Sequence, residues 1–509
     1  PYELYKYFHV SEVGTTIGST LGGSNHQKLV YKDRFLDRGV QNDALQETLI
    51  NIVSAWVNML LLSSSGPVKP TVGACGTGIL AVDVAVETIQ SGKAKMMIAG
   101  GCESITEEFS YEFGKLGATS NSVEELSRGR TPKEMSRPCT STRCGFIEGE
   151  GAGIVTLMSA SAAIDMGAPI YGIVAMSGTA TDKEGRSIPA PGKGILTSAR
   201  ELPSMLPSPL LDINYRRKQL DRQLLAIDTW TEEECHSLQQ QTEAAGGAGS
   251  PSTQDGTDAF AAQRIKFIEK ERARQRRAAL DMWGSEFWKQ DPHISPLRGS
   301  LAVWGLTVDD IGVASFHGTS TIANDKNESE VLHEQLEHLG RTPGLAVPAV
   351  CQKWLTGHPK GPAAAWKLNG MIQSLRTGIV PGNRNADNID PEFERLEHII
   401  YPSRSIQTPG IKAGLIKSFG FGQVGGEILV VHPDYVLAGL TCEELQEYNK
   451  KLKHREAKSY RYWQDTLVGN HSLVQIKSAP PYSLEKERQV YLDPLARAKH
   501  NSATDQYKF

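Results

Sequence analysis

Cys75 carries the most chemical promise, in the stretch TVGACGTGILAVDVAVETI. A short apolar run ends at Gly73–Ala74, and Gly76 and Gly78 permit a tight turn into an apolar helix over Thr77–Gln90. The thiol would then stand at a helix N-terminus, where free N–H groups and the macrodipole lower the pKa of a sulfur. The same N–H groups could receive a carbonyl oxygen as it becomes an oxyanion. The nucleophile elbow of hydrolases has this strand-turn-helix build, with a hydroxyl in place of the sulfur. The competing reading is a small buried packing cysteine. Of the others, Cys102, Cys139, Cys144, Cys235 and Cys442 lie outside any such turn, and Cys351 opens CQKWLTGHPKG, where it could line the same site.

Two of the 13 histidines sit at strand-to-loop junctions. His317 ends the apolar run GVASF and opens HGTSTIANDKNES; His358 lies in KWLTGHPKG, five residues after Lys353. Loops at strand ends are where a rigid scaffold presents reactive groups. One thiolate with two imidazoles suits a carbanion-forming acyl transfer. The thiolate takes an acyl group from a thioester, and a second thioester becomes an enolate by losing carbon dioxide or a proton. Two neutral imidazoles donating to the thioester oxygen would stabilise that enolate. The Lys353 ammonium could set the protonation and orientation of the histidines, or attract a carboxylate.

SFGFGQVGGEILVV contains Gly420-x-Gly422-x-x-Gly425, formally a dinucleotide fingerprint, but a strand follows it where that motif requires a helix. The run therefore reads as a hairpin loop with Phe419 and Phe421 aimed at a site. The motif therefore calls for no nucleotide cofactor.

Holding these groups takes a layered scaffold. Apolar runs at Thr71–Ala74, Lys95–Ala99, Tyr171–Met176, Gly312–Phe316, Ile411–Lys417 and Glu427–Val431 alternate with helix-like stretches, as in an α/β core. The last two, joined by the glycine-rich loop, read as an antiparallel hairpin. Between Arg200 and Asp291 the sequence turns charged and helical, around a soft segment at Ala244–Thr257 that reads as a linker. These features divide the 509 residues into an N-terminal half (1–199), a helical insertion (200–291), a C-terminal half (292–435) and a polar tail (436–509). Lys and Arg total 54 against 58 Asp and Glu, which argues against a nucleic-acid surface. The best membrane candidate, Gly153–Met176, is broken by Asp165, Gly167 and Pro169. Seven scattered cysteines without a CxxC pair, and a start without a signal-peptide pattern, lead to the expectation of a cytoplasmic protein.

GACGTG, SRPCTSTRCGFIEGEGAG (Ser136–Gly153), FHGTST, KWLTGHPKG and SFGFGQVGG, in that order, resemble the β-ketoacyl-ACP synthase branch of the thiolase superfamily. PYELYKYFHVSEVG, QNDALQETLINIVSAWVNMLL, GRTPKEMSRP, SIPAPGKGILTSARE, ANDKNES, PGNRNADN and VHPDY look like the ketoacyl synthase region of fungal type I fatty acid synthase α subunits. The resemblance implies a thiolase-like αβαβα fold, with the N-terminal part of its first half missing and a helical insertion added. It also implies a decarboxylative Claisen condensation. Cys75 would be the nucleophile, His317 and His358 would drive decarboxylation of malonyl-ACP, and Lys353 would support them. The N–H groups of Cys75 and Phe421 would form the oxyanion hole, with Phe421 also gating the pocket. No cofactor would bind directly; phosphopantetheine would arrive on the acyl carrier protein. Expected partners are that carrier, a second copy in a homodimer, a fatty acid synthase β subunit in a larger assembly and, for a specialised enzyme, a polyketide synthase.

A thiolase is the close competitor, but the family's second cysteine is absent from SFGFGQVGG. A catalytically silent pairing or scaffold subunit is the other, yet all four polar groups are present. GSTLGG (Gly18–Gly23) stands where fungal housekeeping synthases tend to have Gly-Met, which places Thr20 and Leu21 at the acyl pocket. A branched Thr20 there would shorten the product toward a hexanoyl starter; neutral drift in a long-chain enzyme is the alternative.

Overall fold

The computed structural model describes residues 3–40, 44–183, 185, 188, 191–246, 251–488, 499–501 and 506–508. Two units are distinguished, Pro1–Ala199 with Thr307–Val490, and Arg200–Leu306 with Tyr491–Phe509.

The first unit is built on two sheets. β1 (Val13–Gly18), β2 (Met96–Glu103) and β3 (Gly151–Met158) form one, with β1 and β2 parallel and β3 antiparallel to β2. The other strands are β4 (Ile173–Thr181), β5 (Ile311–Ser315), β6 (Val347–Val350), β7 (Ile379–Val380), β8 (Ile399–Ile400), β9 (Ile406–Gln407), β10 (Ala413–Gly420) and β11 (Val424–Val431). The second sheet runs β4-β11-β10-β5-β6-β8, while β7 and β9 pair separately.

Between the sheets lie the Thr77–Gln90 and Ala363–Thr377 helices. Ile79 and Val82 of the first, and Ala364, Leu368 and Met371 of the second, share a buried cluster with Val313, Ile416, Ile428 and Val430 of the second sheet; Val155 and Leu157 of β3 pack on it too. Ala85 meets Met97 and Ala99 of β2. Outside the first sheet, Ala162 and Met166 of the Ala160–Met166 helix pack with Val13 and Met96. Outside the second, Val331 of the Ile322–His338 helix packs with Phe419. The order helix, sheet, helices, sheet, helix is the αβαβα layering that the resemblance implies.

The strand pattern departs from expectation in two places. β4 pairs antiparallel with β11, so it belongs to the second sheet although it precedes Ala199 in sequence. Thr71–Ala74 forms no ladder: Thr15 bridges Val68, and beyond it Pro70 has no N–H to donate.

In the second unit, the Ile213–Gly246 and Pro251–Trp283 helices run antiparallel. Asp228 bonds Arg272 and Arg276, Glu234 bonds Arg264, and Gln223 accepts from the Trp283 indole. Both helices enter the stretch expected as a linker: Ala244–Gly246 and Pro251–Thr257 are helical, and 247–250 lies outside the described residues. This unit continues past Asp291 to Leu306. Ile294 and Ala302 pack on Phe287, and Arg216 donates to the Ala302 carbonyl at 2.8 Å while lying 3.8 Å over the Phe287 ring.

Candidate active site

The chain turns sharply before Cys75. Ala74 has φ +49°, a left-handed conformation costly to a side chain with a Cβ, and Ala74–Gly76 make a 3₁₀ turn that runs into the Thr77–Gln90 helix. Three hydroxyl-mediated bonds hold this turn. Thr77 Oγ1 accepts from the Gly73 N–H at 3.0 Å and donates to the Ala74 carbonyl at 2.8 Å, and Thr20 Oγ1 donates to that carbonyl at 2.9 Å. Cys75 is buried, with 6% of its surface exposed. Its acidity differs from the sequence expectation. Burial pushes the thiol above its usual value, outweighing the opposing pull of the Lys353 and Lys360 ammoniums and of the residue's own N–H. The resting sulfur is a thiol.

His317 follows β5. Glu328, eleven residues on and wholly buried, accepts the His317 N–H at 2.5 Å and the Gly318 N–H at 2.9 Å. Asp325, on the same helix face, accepts from Thr319 at 3.0 Å and from Cys139 at 2.9 Å. The imidazole Nδ1 lies 3.1 Å from Lys353 Nζ and 3.2 Å from Ser418 Oγ. Lys353 Nζ also stands 3.5 Å from Nε2, so the lysine faces both ring nitrogens, and burial holds it well below the usual ammonium range.

His358 follows Gly357, whose φ is +66°. Its N–H donates to the Ile147 carbonyl at 2.7 Å, its carbonyl accepts from Gly149 at 3.2 Å, and Phe146 stands edge-on to the ring at 5.1 Å. Nδ1 accepts the Lys360 N–H at 3.4 Å, which places the ring proton on Nε2. That Nε2 is buried without a hydrogen-bond partner among the described residues. The two imidazoles lie 5.2 Å apart at 86°. Burial first, and the Lys353 ammonium second, hold both well below the usual imidazole range, so both are neutral at pH 7.

These groups converge on a cavity of about 270 Å³ lined by Cys75, His317, His358, Phe419, Phe421 and residues that include Phe146, Thr319 and Ile188. β10 and β11 form the hairpin expected from the sequence, with Gly420 opposite Val424. Gly420 passes the elbow so closely that a Cβ there would fall 2.3 Å from the Gly73 carbonyl oxygen and 2.9 Å from the Gly76 nitrogen. Only a glycine lets the hairpin pass this close to the Gly73 and Gly76 backbone on either side of Cys75.

Five of the residues singled out by sequence therefore share one cavity, with Lys353 behind His317. Thr20 and Leu21 do not line it. Glu103 accepts the Thr20 N–H at 2.7 Å and the Leu21 N–H at 3.2 Å, and so clamps their loop beside the elbow. Cys351 does not line it either. It lies under Gly318, its sulfur 3.8 Å from that of Cys139. Asp325, Glu328, Ser418 and Phe146 escape a search for reactive residues. The spacing of Asp325 and Glu328, three apart on one helix face after His317, was the available signal.

Similarity to known proteins agrees with this geometry. Residues 6–163 match the beta-ketoacyl synthase N-terminal domain and residues 290–387 the corresponding C-terminal domain. Fatty acid synthase subunit alpha of Schizosaccharomyces pombe is 53% identical over 503 residues, 99% of this chain and 27% of that protein. The subunits of Candida albicans and Saccharomyces cerevisiae are 54% and 52% identical over 98% and 100% of this chain. The chain spans about a quarter of the length of these relatives (26% and 27% of the last two). In fold it is similar to the noncanonical ketosynthase FabY from P. aeruginosa, with a TM-score of 0.66 and 20% identity over 92% of this chain and 60% of that one. With both domains of one family matched in order and the αβαβα layers in place, the chain belongs to the beta-ketoacyl synthase family of acyl-transferring enzymes.

Proposed function

We propose that this chain is a 3-oxoacyl-ACP synthase, catalysing the decarboxylative condensation of fatty acid synthesis. The observation that carries this reading is the unpartnered, buried Nε2 of His358 at a cavity shared with Cys75 and His317. A buried donor left without an acceptor is costly unless a ligand oxygen completes it.

In the first stage the Cys75 sulfur attacks the acyl thioester of an acyl carrier protein, and its proton leaves with the phosphopantetheine thiol. The N–H groups of Cys75 and Phe421 receive the oxyanion. In the second, a malonyl thioester enters. The bond to its carboxylate breaks, carbon dioxide departs, and the electron pair passes into the thioester as an enolate whose oxygen accepts from Nε2–H of His317 and of His358. The carbanion attacks the acyl carbon on Cys75, the C–S bond breaks, and one proton returns the sulfur to a thiol. Lys353 donates to His317 Nδ1 and so keeps its Nε2 proton facing the cavity. Phosphopantetheine belongs to the carrier substrate; none is assigned to this chain.

The partners follow from the same reading. An acyl carrier protein delivers both thioesters, and a second copy of the chain covers exposed apolar residues beside the elbow and on neighbouring helices, among them Val68, Val72, Trp56, Met59 and Phe35. A β subunit completes a cytoplasmic assembly of the fungal type. Among the described residues no helix is long and apolar enough to cross a membrane.

The finer reading is an enzyme for short acyl chains that hands a hexanoyl unit to a polyketide synthase. Its support is the branched Thr20, whose hydroxyl is tied to the Ala74 carbonyl of the elbow although the residue does not line the cavity described above. Supplying malonyl-ACP with acyl-ACPs of graded length tests both levels. Condensation that stops near six carbons, and extends further in Thr20→Gly, is the expected result. Efficient extension of long chains by the unaltered protein would return it to the long-chain class, and no condensation at any length would sink the synthase reading.

A further inference from the structure

Lys367 is a cation that the mechanism leaves unused. It lies on the Ala363–Thr377 helix of the central layer, beside the apolar residues Ala364, Leu368 and Met371, and is 1% exposed. A lysine is almost never this buried unless paired. Its Nζ donates to the Lys417 carbonyl on β10. The next residue, Ser418, places its hydroxyl 3.2 Å from His317 Nδ1 and 3.4 Å from the Cys75 carbonyl oxygen. The charge on Lys367 also acts on Glu328, the carboxylate that grips the N–H groups of His317 and Gly318. Lys367 thus bonds one support of His317, the strand, and acts at longer range on the charge of the other, the Glu328 carboxyl.

We propose that Lys367 is a positioning residue for the condensation step, fixing β10 through the Lys417 carbonyl and supplying the positive charge opposite Glu328 that keeps the His317 loop in place. This rests on the reading that His317 acts in the second stage, after Cys75 has been acylated. Facing groups bear on its charge from several elements. Glu328 favours the ammonium and Lys353 opposes it, while the Cys75 and Cys351 thiols, raised by burial, and the His317 and His358 imidazoles, lowered by it, face the same region uncharged. Burial draws Lys367 down to about 8 and pushes Glu328 up to about 7.

The two stages can be read apart in the intact chain: acylation of Cys75 by an acyl-carrier thioester, by mass shift, and condensation with malonyl-ACP. In Lys367→Met acylation should stay within about threefold, while kcat for condensation falls about 100-fold, the cost of a misplaced reacting group. Glu328→Gln should show the same split. The double variant should recover part of the loss, since each single change strands a buried charge that the double removes. Loss of both stages in equal measure, or a double variant as poor as the product of the singles, would reduce Lys367 to a packing role and overturn the proposal. If Lys367→Met does not fold, the comparison of Glu328→Gln with the double variant decides the same point. Absence of condensation in the unaltered protein would instead refute the synthase reading itself.

Discussion

Each reactive side chain is defined by what its other atoms already hold. His358 spends Nδ1 on the Lys360 N–H and keeps Nε2 for the cavity; His317 spends Nδ1 on Lys353 and Ser418. Under the proposed mechanism, replacing His358 by Ala removes one donor to the enolate, and kcat for condensation should fall about 100- to 1,000-fold, with Cys75 acylation little changed. Stopped assays of the two stages would show this; an equal fall in both would contradict it. The pH behaviour follows from the same burial. Both imidazoles titrate well below the usual range in the folded chain and near 6.5 when unfolded. Below about pH 6.5 the unfolded chain therefore binds more protons than the folded one, and stability falls as pH falls. Tm should drop between about pH 7 and pH 5, by less in the His358→Gln variant, which has one such group fewer. The acidity of Cys75 was not legible in the sequence. The turn was, but whether a helix N-terminus or burial wins depends on what covers the sulfur, and burial wins here.

At the scale of elements, the site is an agreement between the elbow and the β10–β11 hairpin. A methyl at Gly420 would meet the Gly73 carbonyl oxygen at 2.3 Å, with backbone on both sides and nothing flexible to yield. Gly420→Ala should lower stability by about 1–3 kcal/mol and, if the Phe421 N–H serves the proposed oxyanion hole, lose Cys75 acylation. Urea unfolding alongside the acylation assay checks this, and full acylation in a stable variant would refute the shared oxyanion hole. The Thr77–Gln90 helix and the hairpin were legible because their apolar spacing and glycine boundaries are local. The place of β4 was not, since a strand's sheet is chosen by a partner, β11, far away in sequence. Asp325 and Glu328 were equally hidden. A polar helix such as ANDKNESEVLHEQLEH does not reveal that two of its carboxylates are wholly buried against backbone N–H groups.

For the whole molecule, the layered core makes the site rigid, and Ile79 is its keystone: it is fully buried, one turn after Cys75, and joins the central helix to Ile416 and Ile428. Ile79→Ala should cost about 2–5 kcal/mol, measurable as a fall in denaturation midpoint. The proposed dimer predicts a mass in light scattering of twice 55.5 kDa; a monomer at micromolar concentration would leave the apolar residues around the elbow to another partner. The order of motifs made the family legible, because Cys75, His317, Lys353, His358 and the glycine-rich loop are recognisable singly. The residues that support them come from other layers, and only the packed structure brings those layers together. The most direct measurement is the mass of the intact chain, and of its Cys75 peptide, after exposure to an acyl-ACP and then to malonyl-ACP. One acyl group should appear on Cys75 and vanish as a 3-oxoacyl-ACP forms with release of carbon dioxide. An acyl group elsewhere, or one that stays on Cys75 when malonyl-ACP is added, would contradict the account.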